Sequence, residues 1–194
     1  QLSVFVPGLS AASILVNAGK ARVRGVEVEA TLRPTDRLTL QTGIGYLHGK
    51  YLQYMDNGVD VADNRAFTHS PKWTVSSSLD WTAIEADWGK LNLIADLSLV
   101  SKSYVSPSPL VTTAPTQVAA DLTQTPTRTM LDARLVLSEL AIGGTTASVS
   151  LWGKNLLNEK NPNFFISYGS TFQNLITAYF PDPRTYGVSV GLKF

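Results

Sequence analysis

His48 and His69 are the chain's only imidazoles, and cysteine is absent altogether. Neither histidine belongs to an HExxH pattern, no CxxC occurs, and no carboxylates cluster with ligand spacing. No metal site, no cofactor site and no catalytic constellation is expected. An enzymatic role is disfavoured because no nucleophile and base pair can be named. Both histidines read as rim residues near strand ends. Glu27 and Glu29 are two apart, so on a strand they share one face. They could be a general acid and base, but they read better as charges paired with Arg or Lys of neighbouring strands, as do Asp80, Asp96, Asp132 and Arg134. Gly143-Gly144 has no phosphate-loop context and reads as a turn. What stands out is a concentration of aromatics. Phe164, Phe165, Tyr168, Phe172, Tyr179 and Phe180 all fall in one connection, residues 158–184. Exposed aromatic clusters mark binding surfaces, so these six are the candidate ligand-capture residues. The alternative is that they only pack against neighbouring loops or line the edge of a membrane.

Elements must hold those side chains, and bulk composition limits which. The 194-residue chain has 16 Lys and Arg against 15 Asp and Glu. That balance offers no basic surface for nucleic acid and no acidic tail. Without cysteine there is no disulfide framework. Charged residues make up 16%, against roughly 25% in ordinary soluble domains. Yet no run approaches the roughly 18 apolar residues of a spanning helix. If the chain enters a membrane, it does so as strands. Gln1 opens directly into an alternating segment, without an initiator Met or an apolar leader. Either a signal peptide was removed or the chain is an excerpt of a longer one.

Period-two alternation recurs throughout, the mark of strands between a greasy and a wet medium. Trp73, Val75, Ser77, Leu79 and Trp81 share one face, against Thr74, Ser76, Ser78 and Asp80. The same pattern fills residues 26–33, 38–46, 91–99, 131–138, 146–151 and 186–194, and residues 1–6 read as one more strand cut at its start, which makes eight. The polar faces carry Ser, Thr, Gly, Asn and single charges, which suits a hydrated lumen. Trp73 and Trp81 bracket one apolar face, as do Tyr186 and Phe194. Eight steps, tilted, cover roughly 20 Å, close to the roughly 25 Å apolar band between aromatic girdles of a membrane barrel. Cross-strand aromatic pairs in a soluble sheet are the alternative. Short connections (34–37, 82–90, 139–144) alternate with long ones (7–20, 55–70, 102–128, 158–184), as periplasmic turns alternate with extracellular loops. The prediction is an all-β, antiparallel transmembrane β-barrel.

Five segments resemble TonB-dependent outer-membrane receptors, in that family's order. NAGKARVRGVEVEA (17–30) resembles the strand start in which Asn-Ala-Gly precedes Arg-Gly-x-Glu-x-Glu. RPTDRLTLQTGIGY (33–46) follows as turn and next strand, and SPKWTVSSSLDW (70–81) is similar to the Pro-started strand after the next loop. LWGKNLLNEKNP (151–162) resembles the Asn-Leu-Leu segment near the penultimate strand. PDPRTYGVSVGLKF (181–194) resembles the Pro-Arg-x-Tyr-Gly start of the last strand and its terminal Phe. The resemblance implies that residues 1–194 are the C-terminal part of the barrel domain, about eight strands of a 22-stranded type with a plugged lumen. The plug domain and its energy-coupling box would lie outside this chain. It further implies the outer membrane of a Gram-negative bacterium, with lipid, the plug, the remaining strands and the TonB system as partners. The function implied is energy-coupled uptake of a scarce large nutrient, with a ferric siderophore as the extracellular ligand. A complete eight-stranded barrel with a structural, adhesion or passive-pore role is the alternative. Tyr186 and Phe194 resemble the C-terminal signal that such proteins present to the assembly machinery. Deleting Phe194 in the full-length protein should lower its outer-membrane abundance more than the activity per inserted molecule; normal abundance on immunoblots of membrane fractions would refute the role.

Overall fold

A strand satisfies its main-chain donors and acceptors only by pairing on both sides, and alternation decides which side chains each face then presents. The computed structural model describes every residue except 1, 6–12, 17–18, 57, 115–116, 169–171, 174 and 194, with the backbone alone at 2–5 and 13–16. In chain order, β1 (Leu2–Phe5) and β2 (Ser13–Val16) pair as a hairpin. Then come β3 (Lys20–Thr35), β4 (Leu38–Gln53) and a two-stranded ribbon of β5 (Met55–Asp56) and β6 (Val59–Asp60). β7 (Trp73–Ala86) and β8 (Gly89–Val100) precede a second ribbon of β9 (Ser103–Tyr104) and β10 (Gln124–Thr125). β11 (Arg128–Ile142) and β12 (Thr145–Lys154) are followed by the ribbon β13 (Phe164–Ser167) and β14 (Ile176–Tyr179), and then by β15 (Thr185–Lys193). No helix among the described residues is long and apolar enough to cross a membrane.

Seven strands form one antiparallel sheet in the order β15-β12-β11-β8-β7-β4-β3. Each neighbours its partner in sequence, so the sheet is a meander. Residues 1–6, read as the first of eight strands, differ from that expectation: β1 pairs with β2 outside the large sheet. β3 and β15 stand at opposite edges of the sheet and do not pair with each other. The small-barrel alternative would require that closure; an open segment of a wider barrel fits the sheet as it is.

Strands are longer than alternation alone suggests, and the cause is local. Register shifts at Thr82/Ile84 and at Leu137/Leu140 mark bulges. One extra residue flips the parity of everything beyond it, so the sequence pattern breaks although pairing continues to Ala86 and Ile142. Glu139 takes φ +60 in the second bulge, while Gly143 and Gly144, at φ +54 and +90, close a two-residue turn. Positive φ at both central positions matches the right-handed twist of a hairpin and is easiest for glycine.

One face is apolar across the whole sheet. Val28–Ile44–Val75–Leu99 form one cross-strand row, Leu38–Trp81–Leu93–Leu135–Leu151–Val188 another, and Leu91–Leu137–Val149–Val190 a third. Nothing covers this face. Val26, Val188 and Val190 are 66%, 62% and 69% exposed, and of the buried hydrophobics only Ala147 belongs to the large sheet. An uncovered apolar surface of this extent does not persist in water; it calls for a hydrocarbon medium. Two polar residues interrupt it, Thr42 and Ser77, and they face each other with hydroxyls 2.9 Å apart. Each thus satisfies the other where water is excluded.

The opposite face is polar: Thr31–Gln41–Ser78–Asp96–Asp132 is one of its rows. Aromatics edge the apolar face obliquely. Tyr46 and Trp73 pair directly, with ring centroids 4.8 Å apart, whereas Tyr186 lies in the row of Leu40 and Leu79, six residues further toward the short turns. Six residues over four to five strand steps correspond to a tilt of about 40–45°, the slope of strands in a membrane barrel. At the short-turn end, Arg37, Glu85, Lys90 and Glu139 form a chain of ion pairs at 3.2, 3.4 and 3.1 Å that links the β3–β4 turn to β7, β8 and β11. These groups are largely solvated, so each pair contributes little. Val149 faces the apolar side and Ser148 the polar side. Lys at Val149 should cost about 2–4 kcal/mol if that side meets mid-membrane lipid, and Lys at Ser148 much less. Heat-modifiable migration of the full-length protein reads the difference; equal losses would refute this assignment of faces.

Candidate functional site

The three long connections that follow β4, β8 and β12 gather at one end of the sheet and pack on one another. Loop 54–72 folds back over β4. Gly49 lets it approach: a Cβ there would stand 2.0 Å from the Phe67 ring. Phe67 then packs on Tyr51 at 4.9 Å, and Tyr51 on Tyr54 at 5.1 Å. Arg65 lies over the Tyr54 ring at 5.6 Å and pairs with Asp56. Tyr54 is buried; that burial, with Tyr51 beside it, lifts its phenol pKa above the ordinary value despite the Arg65 charge.

Loop 101–127 locks onto loop 54–72 through main-chain and amide bonds. Asn64 donates to the Val111 carbonyl at 2.9 Å and accepts from the Val111 N–H at 2.7 Å. The Ala66 N–H donates to the Ser108 carbonyl, and the His69 N–H to that of Tyr104. Between these loops and the end of β4 lies a cleft of about 670 Å³, half open to solvent. Leu47, Tyr51, Phe67 and Tyr104 give it apolar and aromatic walls. Arg65, Lys72 and Lys102 also border it, whereas Asp63 is the single acid among its lining residues. A cleft with aromatic walls and net positive charge suits an anionic ligand that carries flat apolar groups.

The third loop is fastened at its base. Asn155, only 1% exposed and at φ +50, is its hub. Its amide donates to the carbonyls of Glu159 and Asp182, both at 2.9 Å, and accepts from the Glu159 N–H at 2.7 Å. The Asn155 N–H donates to Asp132, and the Leu156 N–H to the Leu131 carbonyl. Glu159 accepts from the N–H groups of Thr129, Lys160 and Asn161. Burial alone would raise the Glu159 pKa, but these donors and the Arg128 charge outweigh it and hold the carboxyl below the ordinary range.

The six aromatics chosen from sequence are only partly brought together. Phe164 and Tyr179 face each other across β13 and β14 with centroids 6.4 Å apart, and Phe164 stacks on His69 at 6.1 Å. Tyr168 meets Phe172 at 6.0 Å. Phe165 stands opposite Ala178 and is half-buried, while Phe180 is 63% exposed. None of the six lines the cleft. Tyr186 is 78% exposed on the edge strand β15, opposite Gly153, and Phe194 lies outside the described residues. The ion pairs expected for Glu27, Glu29, Asp80, Asp96, Asp132 and Arg134 are not formed among the described residues. Asp96 instead accepts from the Ser78 hydroxyl, Asp132 from the Asn155 N–H, and Arg134 donates to Ser150. No group of three or more described His, Cys, Asp or Glu residues could hold a metal. Sequence reasoning missed the cleft because its residues come from three separate stretches that only the folded loops unite.

The fastener makes a pH-dependent prediction. A carboxyl whose folded pKa is depressed stabilises the fold above its unfolded pKa and loses that contribution as pH falls through the folded value. Protection from hydrogen exchange in residues 155–162, taken relative to the intrinsic rate at each pH, should therefore be high at neutral pH and fall as acid protonates Glu159. Glu159→Gln should be poorly protected at both; wild-type protection independent of pH would overturn the tether.

Comparison with known proteins accords with this architecture. A family model described as TonB dependent receptor-like, beta-barrel, matches residues 2–156. No curated protein sequence matches the chain. Among solved structures, it is similar to the ferric yersiniabactin uptake receptor FyuA from Yersinia pestis, with 20% identity and a TM-score of 0.65, over 90% of this chain and 24% of that one. It is also similar to BauA, the ferric preacinetobactin receptor from Acinetobacter baumannii, with 22% identity and a TM-score of 0.63, over 100% of this chain and 25% of that one. The chain thus spans about a quarter of the length of these receptors. With the family match extending over most of an uncovered, tilted antiparallel sheet, the chain belongs to the TonB-dependent receptor family, as part of its β-barrel.

Proposed function

We propose that this chain is the C-terminal part of a barrel that takes up a ferric siderophore across the Gram-negative outer membrane. Barrels of this family are outer-membrane proteins, and the uncovered apolar face of the sheet supports the same placement here. On this reading the plug domain, the remaining strands and coupling to TonB come from the rest of the receptor. The open edges at β3 and β15 support a wider barrel over a complete small one.

The basic, aromatic-walled cleft at the loop end is the observation that carries the ligand class. Ferric complexes of catecholate and phenolate siderophores are anionic and present flat aromatic rings. Lys72 and Lys102 supply charge, while Tyr51, Phe67 and Tyr104 supply ring faces. Phe164, Phe165, Tyr168, Phe172, Tyr179 and Phe180 act on this reading as a first capture surface, separate from the cleft. In the full-length receptor, Lys72→Ala with Lys102→Ala should weaken binding of a ferric tris-catecholate about tenfold, which is about 1.4 kcal/mol. A neutral ferric trihydroxamate should be much less affected. Quenching of intrinsic tryptophan fluorescence gives both affinities; unchanged tris-catecholate affinity would refute the cleft's role.

A further inference from the structure

Four basic side chains form a cluster on β3 and β4 that the uptake reading leaves unused. Arg24 stands directly across from His48, and Arg22 across from Lys50. The register runs without a shift from Arg22 to Leu32. These two rungs therefore continue the row of Val26–Tyr46 and belong to the parity of the uncovered apolar face, just beyond its aromatic edge. All four residues are exposed. Directly opposed side chains have Cβ atoms about 4.5–5.5 Å apart, and like charges there repel. Among the described residues none of the four has an ion pair, and Glu27 and Glu29 occupy the opposite face. Such a cluster leaves its charge to be neutralised by an anion supplied from outside.

Its height selects the source. His48 and Lys50 are two and four residues beyond Tyr46. At about 3.3 Å per residue and a tilt of about 40°, they stand roughly 5 and 10 Å above the girdle. The headgroup layer occupies roughly the first 5–8 Å beyond the hydrocarbon, so the Arg24–His48 rung stands within it and the Arg22–Lys50 rung at its outer rim, from which long side chains reach back. We propose that Arg22, Arg24, His48 and Lys50 bind the headgroup of an anionic membrane lipid that carries a phosphate monoester. A monoester brings a charge of about −1.5 to −2 and three acceptor oxygens, enough to bridge both rungs. Arginine forks match such oxygens two at a time. A diester, with one charge, leaves one rung unneutralised. This inference rests on the outer-membrane placement proposed above. His48 and Lys50 lie on the parity opposite to Gly49 and Tyr51, which face the cleft, and Arg22 and Arg24 do not border it, so the arginines separate the two sites.

The test uses the full-length receptor in nanodiscs that contain phosphatidic acid, phosphatidylglycerol and phosphatidylcholine, followed by native mass spectrometry of the lipids retained. Wild type should keep phosphatidic acid over the other two. Arg22→Gln with Arg24→Gln should lose roughly fivefold or more of it, while Arg22→Lys with Arg24→Lys keeps most. Ferric tris-catecholate binding should be unchanged in both variants, which shows that they are folded. Equal retention of all three lipids by wild type overturns the proposal, as does full retention by the Gln variant. Displacement of the lipid by millimolar inorganic phosphate would assign the site to a soluble anion and overturn the lipid source. A receptor absent from the outer-membrane fraction would overturn the placement itself; correct fractionation without lipid selectivity would overturn this inference alone.

Discussion

The pleat of a β-strand sends successive side chains to opposite sides, and the ladder between strands pairs the main chain of each inner strand on both sides. Every other feature of this molecule follows from applying those two facts across seven neighbouring strands. The ladder makes one surface continuous, and the pleat makes that surface apolar on one side and hydroxyl-rich on the other. No second layer covers the apolar side. A soluble sandwich would have spent its valines and leucines on a partner sheet; here they remain outside, and the few buried apolar residues sit mainly in the loops. The molecule is organised around its medium rather than around a core.

The same constraint explains how polar groups survive on that side. Thr42 and Ser77 sit in adjacent strands at the same level and hydrogen-bond each other. Moved by two residues along its strand, either would stay on this face as an unpaired hydroxyl in hydrocarbon. Bulges are placed with similar economy. Those at Thr82/Ile84 and Leu137/Leu140 interrupt the ladder near the short turns, where water can satisfy the groups that pairing leaves open, and the ion pairs of Arg37, Glu85, Lys90 and Glu139 lie beside them; a further shift, at Lys20/Ala21, stands at the long-loop end.

Much of this was legible in the sequence because period two is a local signal. The strands around Trp73, Leu91, Leu131 and Tyr186 were found with their correct faces, and Gly143-Gly144 with its turn. Strand ends were not, since bulges at Thr82 and Leu137 invert the alternation without ending the strand. Residues 1–6 show the limit: alternation identified a strand but not its partner, which is β2. The loop end was the least legible part. Tyr51, Phe67, Lys72, Lys102 and Tyr104 have no common spacing, and the contact that unites them depends on the missing side chain of Gly49. The aromatics around Phe164 attracted notice because they are contiguous, yet contiguity in sequence put none of them in the cleft. Asn155, the most constrained side chain of the loop end, was visible only as part of a family motif.

Asn155 also decides how the third loop is carried. By holding the carbonyls of Glu159 and Asp182 on one amide, it joins the loop's two ends into a ring whose base belongs to the sheet. Within that ring the ribbon of Phe164–Ser167 and Ile176–Tyr179 is paired strand to strand and rests through Phe164 on His69 of the first loop. A single buried amide thus lets a connection of this length be borne by two of its neighbours at once, the sheet below and the first loop beside it.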